Sequence, residues 1–299
     1  MARSWPVPSV VMKIGLLYTN WAAADDPGGF ARRAEALGFE SLWTTEHVVV
    51  PKGYESTYPY SRRGKMAGGA EDFPSPDPLM WLAFAGAATE RIGLATGILI
   101  LPQRNPLVLA KETATLDLFS GGRLTLGVGV GWLEEEFDAL GISFADRGKR
   151  TDDYVAALRA LWTQDEATHH GTHSSFDKAI SRPRPTQGSV PIVVGGHSKA
   201  AARRAGRLGD GFFPGRGSHE DLAELITVMR ATAVEHDRDP DAIEITAGGN
   251  GALGGKALDE VKALADLGVS RVIIPPLAFD PEGQRTAFAQ YGEEVIARS

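Results

Sequence analysis

Short apolar runs alternate with amphipathic segments along almost the whole chain. Eight runs predict β-strands, at residues 12–18, 39–44, 92–99, 123–130, 191–194, 211–213, 243–247 and 271–274. The intervening segments carry apolar residues at helical spacing, and they predict helices at 27–37, 77–89, 107–120, 132–162 with an interruption at 141–148, 199–208, 219–235, 258–267 and 281–297. Strict alternation of strand and helix predicts a parallel sheet with the helices packed against it.

The segment at 91–140 is the densest part of this pattern. It contains two apolar strands joined by a helix that ends at Gly121 and Gly122, which together make one βαβ unit. The second strand reads RLTLGVGV, and glycines within a strand indicate that another group approaches the backbone closely. We interpret that group as a flat ligand, with an ordinary turn between strand and helix as the alternative.

Eight βα units favour a closed α/β (β/α)8 TIM barrel over an open doubly wound sheet. A chain of 299 residues fits one such barrel, predicted at 12–299 after an N-terminal tail at 1–11. Two insertions interrupt the alternation: a long irregular loop at 50–76 after the second strand and a polar segment at 163–188 before the fifth. The tyrosines of the first insertion favour a lid over a disordered segment.

Composition excludes several classes of function. The chain has no cysteine, which removes disulfides, thiol nucleophiles and cysteine-ligated metals. The net charge of -7 argues against binding to nucleic acid or to an anionic membrane surface. No apolar run reaches the ~18 residues of a membrane span, and the N-terminal residues lack the zones of a signal peptide. These features predict a cytoplasmic protein.

Barrel enzymes carry their active sites at the carboxyl ends of the strands. The residues that follow the predicted strands are Tyr18, Glu46, His47, 96–98, 129–132, 195–198, 214–216, 248–250 and 275–276. His47 is the strongest candidate, because an imidazole can donate or accept a proton near neutral pH; a histidine bonded within its loop is the alternative.

An anion site is predicted at the start of the helix at 199–208. Gly196, His197 and Ser198 precede this helix directly, and the free amides of a helix N-terminus attract a phosphate. Lys199 or Arg203 could add positive charge. An ordinary N-cap by Ser198 is compatible with this interpretation.

Three other charged groups are weaker candidates. Arg104, with the Asn-Pro that follows it, could meet a cofactor tail or a helix C-terminus. The histidines at 169, 170 and 173 are interpreted as part of a solvated hairpin without a carboxylate partner, and no metal site is predicted there. The glutamates at 134–136 are expected at the first turn of a helix because they complement its dipole.

Thr151 or Asp152 is predicted to cap the helix that follows the interruption.

Three segments together resemble one protein family: GFESLWTTEHVVVP, TERIGLATGILILPQRNPLVLAKETATLDLFSGGRLTLGVGVGWLEEEF and PIVVGGHSKAAARRAGRLGDGFFP. They resemble the bacterial luciferase-like oxidoreductases, and most closely the branch expected to use the deazaflavin coenzyme F420. The resemblance covers nearly the whole chain and implies a barrel that binds the cofactor at its carboxyl end.

The resemblance also implies roles for individual residues. His47 would lie beside the cofactor ring. Glu46 would bind cofactor hydroxyls or orient His47, unless it is a surface carboxylate. A cis peptide bond between Gly97 and Ile98 would form a bulge behind the ring. The implied cofactor-binding set is Glu46, Thr96, Gly97, Ile98, Gly129, Gly195, Gly196, His197 and Ser198.

One position departs from the family pattern. Trp132 stands where the sugar-phosphate dehydrogenases of the family carry an acidic residue, which argues against sugar-phosphate oxidation. The resemblance therefore implies an F420-dependent oxidoreductase that transfers hydride between C5 of the deazaflavin and a small organic substrate. An FMN-dependent monooxygenase is the alternative, and a non-catalytic cofactor- or partner-binding barrel is a second one. Family members are usually dimeric, so a homodimer is expected.

Overall fold

The predicted barrel is confirmed in the computed structural model, which describes residues 12–18, 26–61, 63–66, 71–215, 217–249, 251–278 and 280–298. The predicted tail at 1–11 and the candidates Arg216 and Asn250 lie outside these residues, as does part of the predicted lid. The strands are β1 (Lys13–Tyr18), β2 (Ser41–Thr44), β3 (Gly93–Thr96), β4 (Leu99–Ile100), β5 (Leu124–Gly129), β6 (Ala167–His170), β7 (Ser175–Ala179), β8 (Ile192–Gly195), β9 (Gly211–Phe213), β10 (Glu244–Gly248) and β11 (Arg271–Ile274).

Eight of these strands close into a parallel barrel. Going around it, the order is β1, β2, β3, β5, β8, β9, β10 and β11, which is the order of the chain. The pairing of β1 with β11 completes the circle, and the short β4 pairs with β5 beside it. Because all eight strands run in one direction, their carboxyl ends meet at one face of the barrel.

Helices surround the barrel, as the periodicity predicts. The α-helices are α1 (Pro27–Ala36), α2 (Pro78–Ala87), α3 (Pro106–Ser120), α4 (Glu134–Ala139), α5 (Arg147–Thr163), α6 (Lys199–Leu208), α7 (His219–Glu235), α8 (Ala257–Asp266) and α9 (Pro281–Glu294). Apolar side chains of the sheet and of the inward helix faces form one large buried cluster between the two layers. Inside the barrel, Trp43, Ala95, Val193 and Ile273 form a smaller one.

Most boundaries agree with the sequence prediction to within two or three residues, and two larger differences concern β3 and α5. The strand predicted at 92–99 is divided, because β3 ends at Thr96 and a cis peptide bond joins Gly97 to Ile98 before β4. The predicted cis bond is thus confirmed at its predicted place. The caps predicted for α5 at Thr151 and Asp152 are wrong. The helix begins earlier, at Arg147, whose guanidinium bonds the carbonyl oxygens of Gly131 and Phe144.

The two insertions take different forms. The first has neither helix nor strand among its described residues, and its Tyr54 and Met66 pack against Leu133. The second contains the antiparallel hairpin of β6 and β7.

Among the described residues, no helix is long and apolar enough to cross a membrane.

Candidate active site

His47 follows β2 at the carboxyl end of the barrel and contacts a buried carboxylate. Its ring nitrogen Nδ1 lies 3.0 Å from Oε2 of Glu136, which is on α4 and has no exposed surface. The other carboxylate oxygen, Oε1, accepts hydrogen bonds from the amides of Val48, at 2.6 Å, and Val49, at 3.2 Å. The His47 side chain is 12% exposed, and no hydrogen bond to Nε2 occurs among the described residues.

Trp132 forms an aromatic wall next to His47. The two rings meet edge to face, with centroids 5.8 Å apart and an interplanar angle of 86°. Tyr54 and Tyr58 of the first insertion contact the same indole, at 5.5 and 5.0 Å between centroids. Such aromatic pairs each contribute about 0.5–1.5 kcal/mol beyond the area they bury. The insertion therefore lies over the histidine, where a lid is expected.

A second glutamate of α4 holds the same insertion. Oε1 of Glu135 accepts hydrogen bonds from the amides of Glu55, at 2.6 Å, and Ser56, at 3.0 Å. Although burial acts to raise it, hydrogen bonds from Ser56 and from these amides lower the pKa of Glu135 from 4.5 to about 2. The carboxylate is therefore charged across the physiological range and binds the insertion through charge-assisted bonds.

Glu46 is part of a buried ion-pair network. Its Oε2 accepts a hydrogen bond from the amide of Ile100 at 2.6 Å, and its Oε1 accepts one from Nε of Arg104 at 2.8 Å. Arg104 also contacts Asp77, the N-cap of α2, at 2.5 Å. The surface-carboxylate alternative for Glu46 is therefore wrong, because 5% of the residue is exposed. Of the two alternatives for Arg104, a cofactor tail or a helix C-terminus, the second is wrong, since Arg104 contacts the N-terminal end of α2.

The bulge at residues 97–98 is fixed by neighbouring strands. Gly97 donates its amide to the carbonyl of Thr44 at 2.7 Å, and the hydroxyl of the buried Thr96 donates to the carbonyl of Gly127 at 2.7 Å. A Cβ at Gly127 would lie 1.9 Å from the carbonyl oxygen of Thr96. The group that approaches this glycine is thus the backbone of β3, and the flat-ligand interpretation is wrong at this position.

Ile98 lies between two other glycines of the carboxyl face. A Cβ on Gly129 would come within 2.4 Å of Ile98 Cδ1, and one on Gly195 within 2.7 Å of Cγ2. Only glycine leaves room at both positions for the isoleucine. The bulge therefore presents an apolar side chain in the barrel mouth, framed by β5 and β8.

The N-terminus of α6 is capped by the side chain of Ser198. The hydroxyl of Ser198 accepts a hydrogen bond from the amide of Ala201 at 3.1 Å, which confirms the N-cap. Gly196 has φ +130°, a conformation that favours glycine. Lys199 forms an ion pair with Glu224 at 2.6 Å, so its charge is already partly compensated.

A cavity of about 580 Å³ opens at this helix start. The lid contributes Tyr60 to its wall, and its ring lies 4.6 Å from that of His197. Asp221 and Glu224 of α7 line the opposite side. The predicted anion site thus adjoins an open cavity whose wall also carries two carboxylates.

The histidines of the second insertion lie in the predicted hairpin, but they have carboxylate partners. His169 Nε2 is 2.6 Å from Oδ1 of Asp153, and His173 Nδ1 is 3.6 Å from Oδ2 of Asp146. Both histidines are largely buried against α5, so the interpretation of a fully solvated hairpin is wrong for them. Among the described residues, no group of three or more metal-binding side chains forms.

Glu136 is the site residue that the sequence argument missed. All three glutamates at 134–136 lie in the first turn of α4, as expected, but the dipole does not explain why Glu136 faces inward and is completely buried. A signal for it exists in the sequence, because Leu133, Glu136, Phe137 and Leu140 follow the i, i+3, i+4, i+7 spacing of a buried stripe. A glutamate in an apolar stripe indicates a partner across the interface.

Residues 13–282 match the family described as luciferase-like monooxygenase. The chain belongs to this family. The matched region spans the barrel from β1 to the first residues of α9. Family membership thus agrees with the closed eight-stranded fold.

Relatives in the family include enzymes with two different cofactors. The uncharacterized protein Rv0940c of Mycobacterium tuberculosis is 35% identical over 277 residues, which is 90% of this chain and 93% of the relative. The F420-dependent glucose-6-phosphate dehydrogenase of Intrasporangium calvum is 34% identical over 220 residues (69% of this chain, 60% of the relative). The FMNH(2)-dependent dimethylsulfone monooxygenase of Pseudomonas putida is 36% identical over 151 residues (49% and 41%).

Solved structures show the same fold at lower sequence identity. An F420-dependent secondary alcohol dehydrogenase, in complex with an F420-acetone adduct, superposes with a TM-score of 0.77 at 20% identity. The match covers 96% of this chain and 99% of the other. The family thus contains oxidoreductases and monooxygenases built on one barrel.

Proposed function

We propose that the chain is an F420-dependent oxidoreductase acting on a small organic substrate. The observation that carries the enzymatic assignment is the contact between His47 and the buried Glu136 at the carboxyl face of the barrel. A histidine oriented by a carboxylate is a frequent arrangement for proton transfer.

The residues of the carboxyl face fit a deazaflavin or flavin. Ile98 offers an apolar surface for a ring, and Gly195 and Gly196 lead to the free amides at the start of α6. Bound F420 would supply a hydride acceptor or donor at C5. The choice of F420 over FMN rests on the relative from Intrasporangium calvum, which matches more of the chain than the FMNH(2)-dependent relative does.

His47 would exchange a proton with the substrate through Nε2, while the lid and Trp132 restrict access of water. The wall at Trp132 is aromatic at the position where sugar-phosphate dehydrogenases of the family carry an acid. We therefore expect no turnover of glucose 6-phosphate. The substrate would enter between the ring and the lid.

Two alternatives are retained. An FMN-dependent monooxygenase is supported by the Pseudomonas putida relative and would use the same face of the barrel. A non-catalytic barrel that binds a cofactor or a partner would keep the fold without using His47.

Titration of the purified protein with F420 and with FMN, followed by cofactor fluorescence, separates these proposals. We expect F420 to bind and FMN to bind at least about tenfold more weakly, a difference of ~1.4 kcal/mol. Tight binding of FMN with no detectable binding of F420 would overturn the choice of cofactor. Absence of binding by either would favour the non-catalytic barrel that binds a partner.

Replacement of His47 by Ala tests the catalytic role. With a panel of alcohols as probes, we expect turnover to fall by about 10²–10⁴-fold, the range for loss of a general acid or base. The matched control is His236→Ala, which removes an exposed histidine at the end of α7. Unchanged turnover in His47→Ala would contradict the assignment.

We also propose that the chain forms a homodimer through α2 and α3. α2 has no polar or charged side chain, yet Met80 and Phe84 are 60% and 69% exposed; on α3, Phe119 is 81% exposed and Val108 55%. A helix that is apolar on all sides is normally covered. With Leu107 and Leu118, these side chains expose on the order of 600 Å², close to the ~800 Å² per partner of a stable interface.

The second copy is the favoured occupant because an isologous contact would bury the exposed apolar side chains of α2 and α3 against the same side chains of the partner. Sedimentation of wild type should give a dimer, and Phe84→Glu a monomer. Val234→Glu, at an exposed apolar position on α7, should remain dimeric. A monomeric wild type would overturn this proposal.

A further inference from the structure

Glu136 and His47 are far apart in the chain, but their side chains form a hydrogen bond. The carboxylate comes from α4, after β5, and the histidine from the segment after β2. Glu136 is completely buried, and all of its described polar contacts are made to His47 and the two residues that follow it. Its position therefore depends on the segment that carries the histidine, and the histidine depends on it in turn.

The two carboxylate oxygens have separate partners. Oε1 accepts two backbone hydrogen bonds, from Val48 and Val49, which fixes the rotation of the carboxylate group. Oε2 is thereby directed at Nδ1 of His47, at a hydrogen-bond distance of 3.0 Å. An ionised carboxylate has no proton to donate, so the hydrogen of this bond must be on Nδ1.

We propose that Glu136 is a positioning residue that holds His47 in the tautomer with the proton on Nδ1, so that Nε2 carries a lone pair for the proton of a substrate hydroxyl. The inference rests on the proposed role of His47. Nε2 is the ring nitrogen away from the carboxylate, and it has no hydrogen bond among the described residues. Trp132 packs edge to face on the same imidazole and limits rotation of the ring.

This assignment gives the substrate a chemical class. A neutral imidazole with a lone pair on Nε2 accepts a proton and cannot donate one from that atom. In the direction of alcohol oxidation under the proposed function, the proton of the substrate O–H group would move to Nε2, and the hydride on the same carbon would leave to the bound cofactor. The positively charged ring that results remains hydrogen-bonded to the Glu136 carboxylate, which stabilises it.

Replacement of Glu136 by Gln tests the tautomer with little change of shape. The amide oxygen of Gln can accept both backbone hydrogen bonds, which places its NH2 group against Nδ1. The opposite orientation would bring that NH2 group against two amide donors. Because NH2 is a donor, Nδ1 must then carry the lone pair, and the proton moves to Nε2.

The measurement is a long-range ¹H–¹⁵N correlation spectrum of protein labelled at histidine, recorded without added cofactor at a pH where the ring is neutral. The His47 signals are identified by their loss in His47→Gln. We expect the Nδ1–H tautomer in wild type and the Nε2–H tautomer in Glu136→Gln. The control Glu134→Gln, on the exposed side of the same helix, should retain the wild-type tautomer.

The outcomes separate this inference from the proposed function. An Nε2–H tautomer in wild type, or an unchanged tautomer in a folded Glu136→Gln, would overturn the positioning role. If the variant fails to fold, the tautomer of His47 in the wild-type spectrum still tests the positioning role. The tautomer is measured in the cofactor-free protein, so failure of F420 to bind would overturn the proposed function alone.

Discussion

Replacing Glu135 by Gln should loosen the insertion that covers His47. In wild type, one carboxylate oxygen accepts hydrogen bonds from two consecutive amides, those of Glu55 and Ser56. The pKa of Glu135 falls from 4.5 to about 2 in this environment, an upper limit of about 3 kcal/mol at ~1.36 kcal/mol per unit. Because Glu135 is close to solvent, screening reduces the contribution to about 1–2 kcal/mol.

Hydrogen exchange at the amides of Glu55 and Ser56 measures this contribution directly. Gln can still accept both bonds, but without the charge, so protection at neutral pH should fall by about 5–30-fold, the equivalent of 1–2 kcal/mol. Glu134→Gln is the matched control and should leave protection unchanged. Equal protection of both amides in wild type and Glu135→Gln would refute the assignment of the carboxylate as the anchor.

The pH dependence has a defined sign. A carboxyl group whose pKa is lowered on folding stabilises the folded state above its unfolded pKa, near 4.5, and this contribution is lost as the pH falls toward about 2. The difference in thermal stability between wild type and Glu135→Gln should therefore be constant from neutral pH to about pH 5 and should shrink below it. A difference that grows on acidification would contradict the linkage.

Two further substitutions test the interior of the barrel by urea denaturation. Gly127→Ala places a Cβ against a backbone carbonyl that cannot move away, and it should lower the free energy of unfolding by about 3 kcal/mol. Gly129→Ala should lower it less, because the contact there is the end of a flexible side chain. Gly255→Ala, with open space around it, should change it by less than about 0.5 kcal/mol. Equal effects at 127 and 255 would refute the close approach. Arg104→Met should cost about 3–5 kcal/mol because it leaves Glu46 buried without its cation, and the added change Glu46→Gln should restore part of that loss. An Arg104→Met variant as stable as wild type would show that the ion pair between Arg104 and Glu46 is not required for stability.

The carboxyl-face site was only partly predictable. The positions of His47, Ile98 and Ser198 follow from the ends of strands, and the N-cap at Ser198 follows from local preference. The role of Glu46 was not predictable, because its cation, Arg104, lies 58 residues away and reaches it only after β2 and β3 have paired. The glycines at 127 and 129 gave a correct signal of close approach but did not identify the approaching group.

The sequence by itself determined the barrel, because periodicity and turn residues act over short distances and each strand and helix carries its own pattern. Tertiary structure alone decided which charged groups meet. Glu136 contacts His47 across 89 residues, and no local preference in the chain describes that contact. It depends on closure of the barrel, which brings the segment after β2 beside the helix after β5.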